Sequence, residues 1–464
     1  MKPPSAPDWA ALQGAIDGRV VLPGSPDYDL LRKPSIPRFH DVRPQAVVRC
    51  ETPADVAETI RLARRTGLPT AARSGGHCFA GHSSTQGVVI DVAPMRSVSV
   101  AGDTATIGAG ARLGAVYDSL EKHDRTIPAG CGPTVGIAGL TLGGGLGILG
   151  RRHGLTADHL LAAQVVLADG RVVDCDDHHD QELFWALRGA GGGNFGVVTS
   201  LVFRTVPAPP ATSFHLVWAH THAAAVVDAW QGWAPDAPDE LAASVLLSAA
   251  ADPRRPPVVN VFGTMLGGET DTRELLEELV ARAGADPTST AQGHRSLRAT
   301  KRHLAEHGPG EERPGGHLYS KSEFFPRPLP AEAVAALVAH LTEARVAGQS
   351  RELDFTPWGG AYDRVPADAT AFVHRDARFL LKHAVVVDPD ASGAQRRAAR
   401  RWLAGSWASV HPWGSGGAYQ NFPDPDLDDW AHAYYGTNLD RLVRVKAAYD
   451  PDGVFRFPQS LPGR

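Results

Sequence analysis

Three dense glycine clusters constrain this chain more than any other feature. They lie at 75–76, 130–154 and 189–196 in a sequence of 464 residues with 49 glycines. Glycine has no Cβ, so it enters backbone conformations closed to other residues and lets peptide N–H groups close on a phosphate or a planar ring. Two readings follow from spacing alone. The clusters wrap one large anionic cofactor, or they make several tight turns. No G-X-Y period accompanies them, which excludes collagen. At 43% hydrophobic and 21% charged, the chain is not disordered either.

Gly145-Leu146-Gly147-Ile148-Leu149-Gly150 matches GxGxxG, and Arg151 and Arg152 follow it. A dinucleotide fingerprint must follow a strand, open a helix and lead to a second parallel strand. Here the next segment carries another Gly and an Asp, and the strand beyond turns back at Asp169-Gly170. The match is therefore weak. No GxxxxGK[ST] occurs, so no P-loop is expected.

Lys and Arg number 46 against 51 Asp and Glu, a formal charge of −5, with no basic footprint for nucleic acid. No apolar run reaches about 18 residues, so no membrane span is expected. The first residues lack the apolar stretch of a secretory signal, and the expected location is cytoplasmic. Cys50, Cys78, Cys131 and Cys175 are scattered and form no CxxC pair, so neither a disulfide framework nor a cysteine zinc site is read. Adjacent His178 and His179 cannot both face one ion from a regular element, and no metal site is assigned.

Thr52 suits a helix cap, with Pro53 at the first position, Asp55 at the third and an apolar stripe of Val56, Ile60 and Ala63 running to Gly67. Strands are expected over 69–73 and 88–92, hairpins over 97–109 and 164–174, a helix over 112–124 and a strand over 201–206. Pro207-Ala208-Pro209-Pro210 reads as a linker. Beyond it, strand-like runs at 214–219, 243–248, 257–264 and 378–387 alternate with amphipathic helices near 270–283, 331–347 and 394–404. That pattern predicts an antiparallel sheet covered by helices on one face, hence an α+β class. Residues 286–316 are polar and read as loop-rich. Length suggests two to three domains.

Several motifs carry a resemblance. Arg73-Ser74-Gly75-Gly76-His77, with Gly81 and Ser83, resembles the first flavin-binding loop of the berberine-bridge-enzyme-like flavoprotein oxidases. Val135-Gly136, Gly139, Gly143-Gly144-Gly145, Gly147, Arg151 and Asp158 resemble the next block, and Trp185 to Gly196 the third. Tyr419-Gln420-Asn421, Tyr434-Tyr435-Gly436, Asn438 and Tyr449-Asp450-Pro451 match the C-terminal part. The resemblance implies a vanillyl-alcohol-oxidase-type FAD-binding domain over 1–206, a substrate domain over 207–415 and a C-terminal return to the FAD-binding domain over 416–464. It implies cofactor contacts at Arg73, Ser74, Gly75, Gly76, His77, Gly81, Ser83, Cys131, Val135, Gly136, Gly139, Gly143, Gly144, Gly147, Asp158, Gly193, Asn194, Gly196, Val198, Asn421, Tyr435 and Asn438.

His77 matches the family histidine that bonds the flavin's C8 methyl carbon, and a neutral imidazole nitrogen is a suitable nucleophile for it. Doubly linked relatives place a cysteine three residues before the valine of the Val-Gly step. Counting back from Val135, that position is Gly132, and Cys131 stands one place early. A single bond through His77 is favoured over a second one to Cys131.

Tyr419 matches the family tyrosine of a Tyr-x-Asn motif and is the expected base for the substrate's O–H or N–H. A free tyrosine ionises near ~10, so this role needs a lowered pKa. The alternative is a core tyrosine with a satisfied hydroxyl. Asp354 is a second candidate, on a strand whose residues face the flavin's far side in the family; the alternative is a solvated or salt-bridged aspartate. The implied activity is an FAD-dependent oxidase that removes hydride from a small organic substrate, an alcohol, sugar or natural-product intermediate, and passes the electrons to O2. An oxidative cyclase or dehydrogenase with another acceptor, and a catalytically silent flavin-binding protein, remain as alternatives. Abundant Ala, Arg, Gly and Pro suggest a bacterial source and natural-product tailoring.

Overall fold

In the computed structural model, which describes residues 6–308 and 316–463, the helix announced by Thr52 runs Pro53–Thr66. Thr52 and Asp55 exchange hydrogen bonds as a capping box, and Gly67 ends the helix at φ +68°. Val56, Ile60 and Ala63 on its inner face are buried, and Val56 and Ile60 join a core shared with a four-stranded sheet. In that sheet Ala46–Arg49, Val88–Asp91 and Thr70–Arg73 run parallel, and Arg19–Val21 pairs antiparallel at one edge. The unbroken apolar run Val88-Val89-Ile90 fits a strand buried on both faces.

Both expected hairpins form. Val98–Ala101 pairs with Thr104–Gly108 around Gly102, and Leu160–Leu167 pairs with Val172–Asp176 around Gly170. Each of these glycines has positive φ, which the tight turn requires. Gly196–Arg204 lies between the hairpins and closes a five-stranded antiparallel sheet. Residues 201–204 of the strand expected at 201–206 complete a longer one that starts in the third glycine cluster, and Val206–Pro207 pairs separately with Arg125–Thr126.

Past the prolines the chain forms a seven-stranded antiparallel sheet. Its order is Ser289–Arg295, Ala211–Ala219, Val258–Met265, Leu241–Ala249, Gln349–Pro357, Phe379–Val387 and His317–Phe325. Alternate residues such as Phe214, Leu216, Val245, Leu247, Phe355 and Leu381 share one core with the helices Ala223–Gln231, Glu269–Ala283, Ala331–Thr342 and Gly393–Ala408. By the two-residue period, His215, Asn260, Asp354, Thr356, Lys382 and Ser322 lie on the other face. Among the described residues no helix is long and apolar enough to cross a membrane.

Two expectations fail here. The loop-rich segment 286–316 holds the edge strand Ser289–Arg295 and the helix Leu297–His307, while 309–315 lies outside the described residues. The strand is polar and mostly exposed, so its identity comes from pairing with Ala211–Ala219 and not from apolar alternation. The helix expected to reach 347 stops at Thr342. Arg351, from the adjacent strand, donates to the carbonyls of Leu341 (3.1 Å), Glu343 (2.5 Å) and Ala344 (3.1 Å). A distant guanidinium satisfies this helix end, which no local signal announces.

The first core also takes in Ala418, Ala433, Tyr434, Tyr435, Leu442, Val445, Phe455 and Leu461. A smaller cluster of Leu155, Phe324, Trp358, Tyr362, Phe372, Leu380 and Tyr419 ties the glycine-rich loops to the open face of the large sheet.

Candidate active site

The glycine clusters converge on one cavity of about 380 Å³. At its first wall, Arg73 ends a parallel strand and turns its guanidinium into the protein. It donates to the carbonyls of Leu31 (2.8 Å) and Ser83 (2.9 Å) and to Ser84 Oγ (2.9 Å). Burial pushes its pKa down to about 10. Arg73 thus braces the loop that follows it. Ser74 Oγ donates to the Ala109 carbonyl at 2.6 Å. A Cβ on Gly75 would collide with the Gly136 backbone, and one on Gly136 with the Gly75 nitrogen. The first two clusters touch only because both positions lack a side chain.

The second wall is the short helix Ile137–Leu142, and the third is the run 189–198. Gly139 and Gly192 line the cavity, and a Cβ on either would meet no protein atom within 4 Å. Ser83 Oγ and Gln420 Oε1 are buried in the wall with no hydrogen-bond partner. Bare backbone on three sides and unpaired polar atoms between them fit a flavin dinucleotide. Gly139→Leu is therefore expected to leave the fold intact and weaken FAD binding by about 1–3 kcal/mol, the usual cost of overpacking. Flavin content and apo-protein melting measured side by side check this; full flavin content in the variant refutes it.

Arg73, Ser74, Gly75, Gly76, His77, Ser83, Val135, Gly136, Gly139, Gly143, Gly193, Asn194, Gly196, Val198, Asn421 and Tyr435 all line the cavity, as does Tyr419. Six other expected contacts do not. Gly81 turns beneath the Phe39 ring, and Gly144 lies against Phe372. Gly147 packs on the Ala129 carbonyl. Asn438 donates to the carbonyls of Ala367 and Thr370 at 2.8 and 3.1 Å. Asp158 receives Arg375 through both oxygens, at 2.7 and 2.9 Å. Cys131 lies outside the cavity wall near Tyr117 and Lys301, and burial raises its thiol pKa. These are corrections: all six stand behind the wall, and at Gly81, Gly144, Gly147, Asn438 and Asp158 neighbouring protein groups already occupy the side chain or the space for one. Wall residues outside the expected set include Phe79, His82, Leu140, Gln420, Phe422, Phe457 and Gln459. Most stand beside a motif residue, and only the folded loop turns them inward.

The GxGxxG run has a different task from phosphate binding. The N–H groups of Gly145 and Leu146 donate to Tyr419 Oη at 3.1 and 3.2 Å. Gly150 leaves room for the Tyr362 hydroxyl. Asn421 Nδ2 donates to the same Tyr419 oxygen at 3.0 Å and to the Leu140 carbonyl at 2.8 Å. All three contacts at Tyr419 Oη are donors, an arrangement that favours phenolate. Burial works the other way and pushes the phenol up to about 12, contrary to the expected lowering. Desolvation is the larger effect in the cavity as it stands.

Asp354 does not line the cavity and is not a free base. Its carboxylate receives Lys382 Nζ at 2.9 Å. Burial opposes the Lys382 charge, but Asp354 and then Glu352 outweigh it and hold the amine above its ordinary value. Lys382 lies 5.2 Å from the Phe422 ring centre, and Phe422 stands edge-on to Tyr419 at 4.9 Å. The pair therefore borders the site from the open face of the large sheet. Burial lowers the His77 pKa and the nearby Arg112 charge adds to this, which favours the neutral imidazole.

Comparison with known proteins agrees with this geometry. A family model described as FAD binding domain matches residues 44–176, and one described as berberine and berberine like matches 418–462. An uncharacterized FAD-linked oxidoreductase of Bacillus subtilis is 34% identical over 96% of this chain and 97% of its own length. A chitooligosaccharide oxidase of Gibberella zeae is 32% identical over 90% of this chain and 87% of its own. The solved structure of wild-type BBE-like 1 from Physcomitrella patens superposes with a TM-score of 0.87 at 28% identity, covering 98% of this chain and 99% of that one.

Proposed function

The chain belongs to the berberine-bridge-enzyme-like family of FAD-linked oxidoreductases, and we propose that it is an oxidase acting on a hydroxyl-bearing substrate, with its FAD bonded to His77. Bound FAD supplies the two-electron acceptor for hydride and returns the electrons to dioxygen. The protein supplies position and proton transfer. Backbone bared by Gly75, Gly136, Gly139 and Gly192 receives the cofactor, and the neutral imidazole of His77 faces the same cavity.

The observation that carries the reading is Tyr419. Its Oη is the one phenol oxygen in the wall that collects two backbone N–H groups and a carboxamide. These donors stabilise the charge on Oη when it stands ready to take the substrate's hydroxyl proton. Beside it the half-open sheet face offers Thr356 and the Asp354–Lys382 pair, which suit a polyhydroxylated ligand. The relative that oxidises chitooligosaccharides favours sugars as the first class to test. Residues 1–206 and 416–464 form the cofactor-binding part on this reading and 207–415 the substrate part, a division supported by their separate cores.

The test is a screen of reducing oligosaccharides and hydroxylated natural-product intermediates with the purified yellow protein. The expected result is one hydrogen peroxide per substrate oxidised. Turnover that needs an artificial acceptor and gives little peroxide would sink the oxidase assignment. Acid unfolding is expected to leave the yellow colour on the peptide that contains His77. Colour lost wholly to the supernatant would remove the covalent bond from the reading.

A further inference from the structure

His77 lines the cavity, and its Nε2 lies 3.0 Å from Thr134 Oγ1. Thr134 itself is exposed and stays outside the cavity wall. A hydroxyl either donates to an imidazole lone pair or accepts from its N–H, and the choice sets which ring nitrogen is nucleophilic. Burial and then the Arg112 charge lower the imidazole pKa, and the Thr134 backbone partly offsets them. With the ring hydrogen on Nε2, Thr134 Oγ1 accepts it and the Nδ1 lone pair stays free.

The loop that carries Thr134 is fixed without its side chain. The Val135 carbonyl accepts from Leu113 N–H at 3.0 Å, the Pro133 carbonyl accepts from Gly114 N–H at 3.0 Å, and Val135 N–H donates to the Gly132 carbonyl at 3.2 Å. One residue on, Gly136 touches Gly75 next to His77.

We propose that Thr134 is a positioning residue for flavin attachment: its hydroxyl holds the Nε2 hydrogen of His77 and leaves Nδ1, with its lone pair, as the atom that bonds the cofactor. Bond formation exchanges one C–H of the flavin's C8 methyl group for a C–N bond to Nδ1. The methyl hydrogen and the Nε2 hydrogen leave as protons. The two electrons pass to the flavin and then to dioxygen, so each bond made yields one hydrogen peroxide. As Nδ1 shares its lone pair, positive charge develops on the ring, and the Thr134 oxygen accepting from Nε2–H stabilises it. Burial, and then the Arg112 charge, disfavours a doubly protonated ring beforehand.

This role rests on the reading that FAD is bonded to His77, and the experiment separates the two. Wild type, Thr134→Val and Thr134→Ser are produced in parallel. Total FAD and the FAD that remains after acid precipitation are measured, the latter by flavin fluorescence in a denaturing gel, from the earliest recoverable time after synthesis. The expected result is that Thr134→Val holds as much FAD as wild type but bonds it about tenfold more slowly or worse, in line with the loss of a charge-assisted hydrogen bond, and that Thr134→Ser restores the bond. Wild type with bonded flavin and Thr134→Val bonded equally fast overturns the role of Thr134 alone. A Thr134→Ser variant no better than Thr134→Val, or loss of total FAD from Thr134→Val, overturns it too. Wild type with no bonded flavin overturns the covalent reading and this role with it.

Discussion

Tyr419→Phe is expected to lower kcat by more than ~10-fold and by up to about 10⁴-fold, general-base contributions being typically about 10²- to 10⁴-fold. The ring itself is well held, edge-on to Phe422 at 4.9 Å and to Phe372 at 6.1 Å, so phenylalanine keeps its packing. Only the oxygen is lost, and flavin content is expected to stay at the wild-type level. Three donors then point at nothing: the N–H groups of Gly145 and Leu146 and the Asn421 amide. Leaving them unpaired also costs about 1–3 kcal/mol of stability per buried group, which melting temperature detects separately from turnover. The decisive measurement is anaerobic flavin reduction by substrate in rapid mixing. An unchanged reduction rate removes Tyr419 from the chemistry. The phenol pushed up to about 12 adds a pH test. Its base form is the ionised one, so the rate of reduction is expected to climb with pH across the neutral and alkaline range below that value. Tyr419→Phe is expected to flatten the climb.

Asp158→Ala is expected to destabilise the protein by about 3–5 kcal/mol, the usual result of removing one partner from a buried ion pair. Arg375 is 3% exposed and meets both oxygens of Asp158. Asp158 Oδ2 also accepts the Leu155 N–H at 2.9 Å. Without the carboxylate, the guanidinium is left, among the described residues, with Thr370 Oγ1 and the Phe372 carbonyl as hydrogen-bond partners. Replacing both members by apolar residues is expected to recover much of the loss, since the cost lies in the unpaired charge. Urea unfolding of the two single variants and the double variant measures this. Normal stability with missing flavin in Asp158→Ala would instead return Asp158 to the cofactor, as its motif implied.

These two residues show why the motifs were informative and incomplete. Tyr419 and Asp158 both stand in recognisable patterns, and both serve the same site. One reaches the cavity; the other holds together two loops 217 positions apart in the chain. A motif records that a side chain is needed but not what it touches. Asp354 is a similar case: its alternating position placed it on the right face of the strand, but Lys382 on the neighbouring strand decided that its charge is paired. The edge strand Ser289–Arg295 and the helix end at Thr342 were illegible for a related reason. Each depends on a partner from a different segment, Ala211–Ala219 in one case and Arg351 in the other.

What the sequence determined by itself is local. The helix cap at Thr52 and Asp55, the hairpin turns at Gly102 and Gly170, the covered face of the large sheet and the glycines that bare the cofactor cavity all follow from steric rules acting within a few residues. What only the tertiary structure decided is which polar groups meet. It aimed the GxGxxG amides at Tyr419, set Cys131 near Tyr117, joined Asp158 to Arg375 and set Thr134 beside His77. The physical reason is that a backbone conformation is chosen by its own side chain and nearest neighbours. A charge or a hydrogen bond is satisfied by whichever group the completed packing brings within about 3 Å.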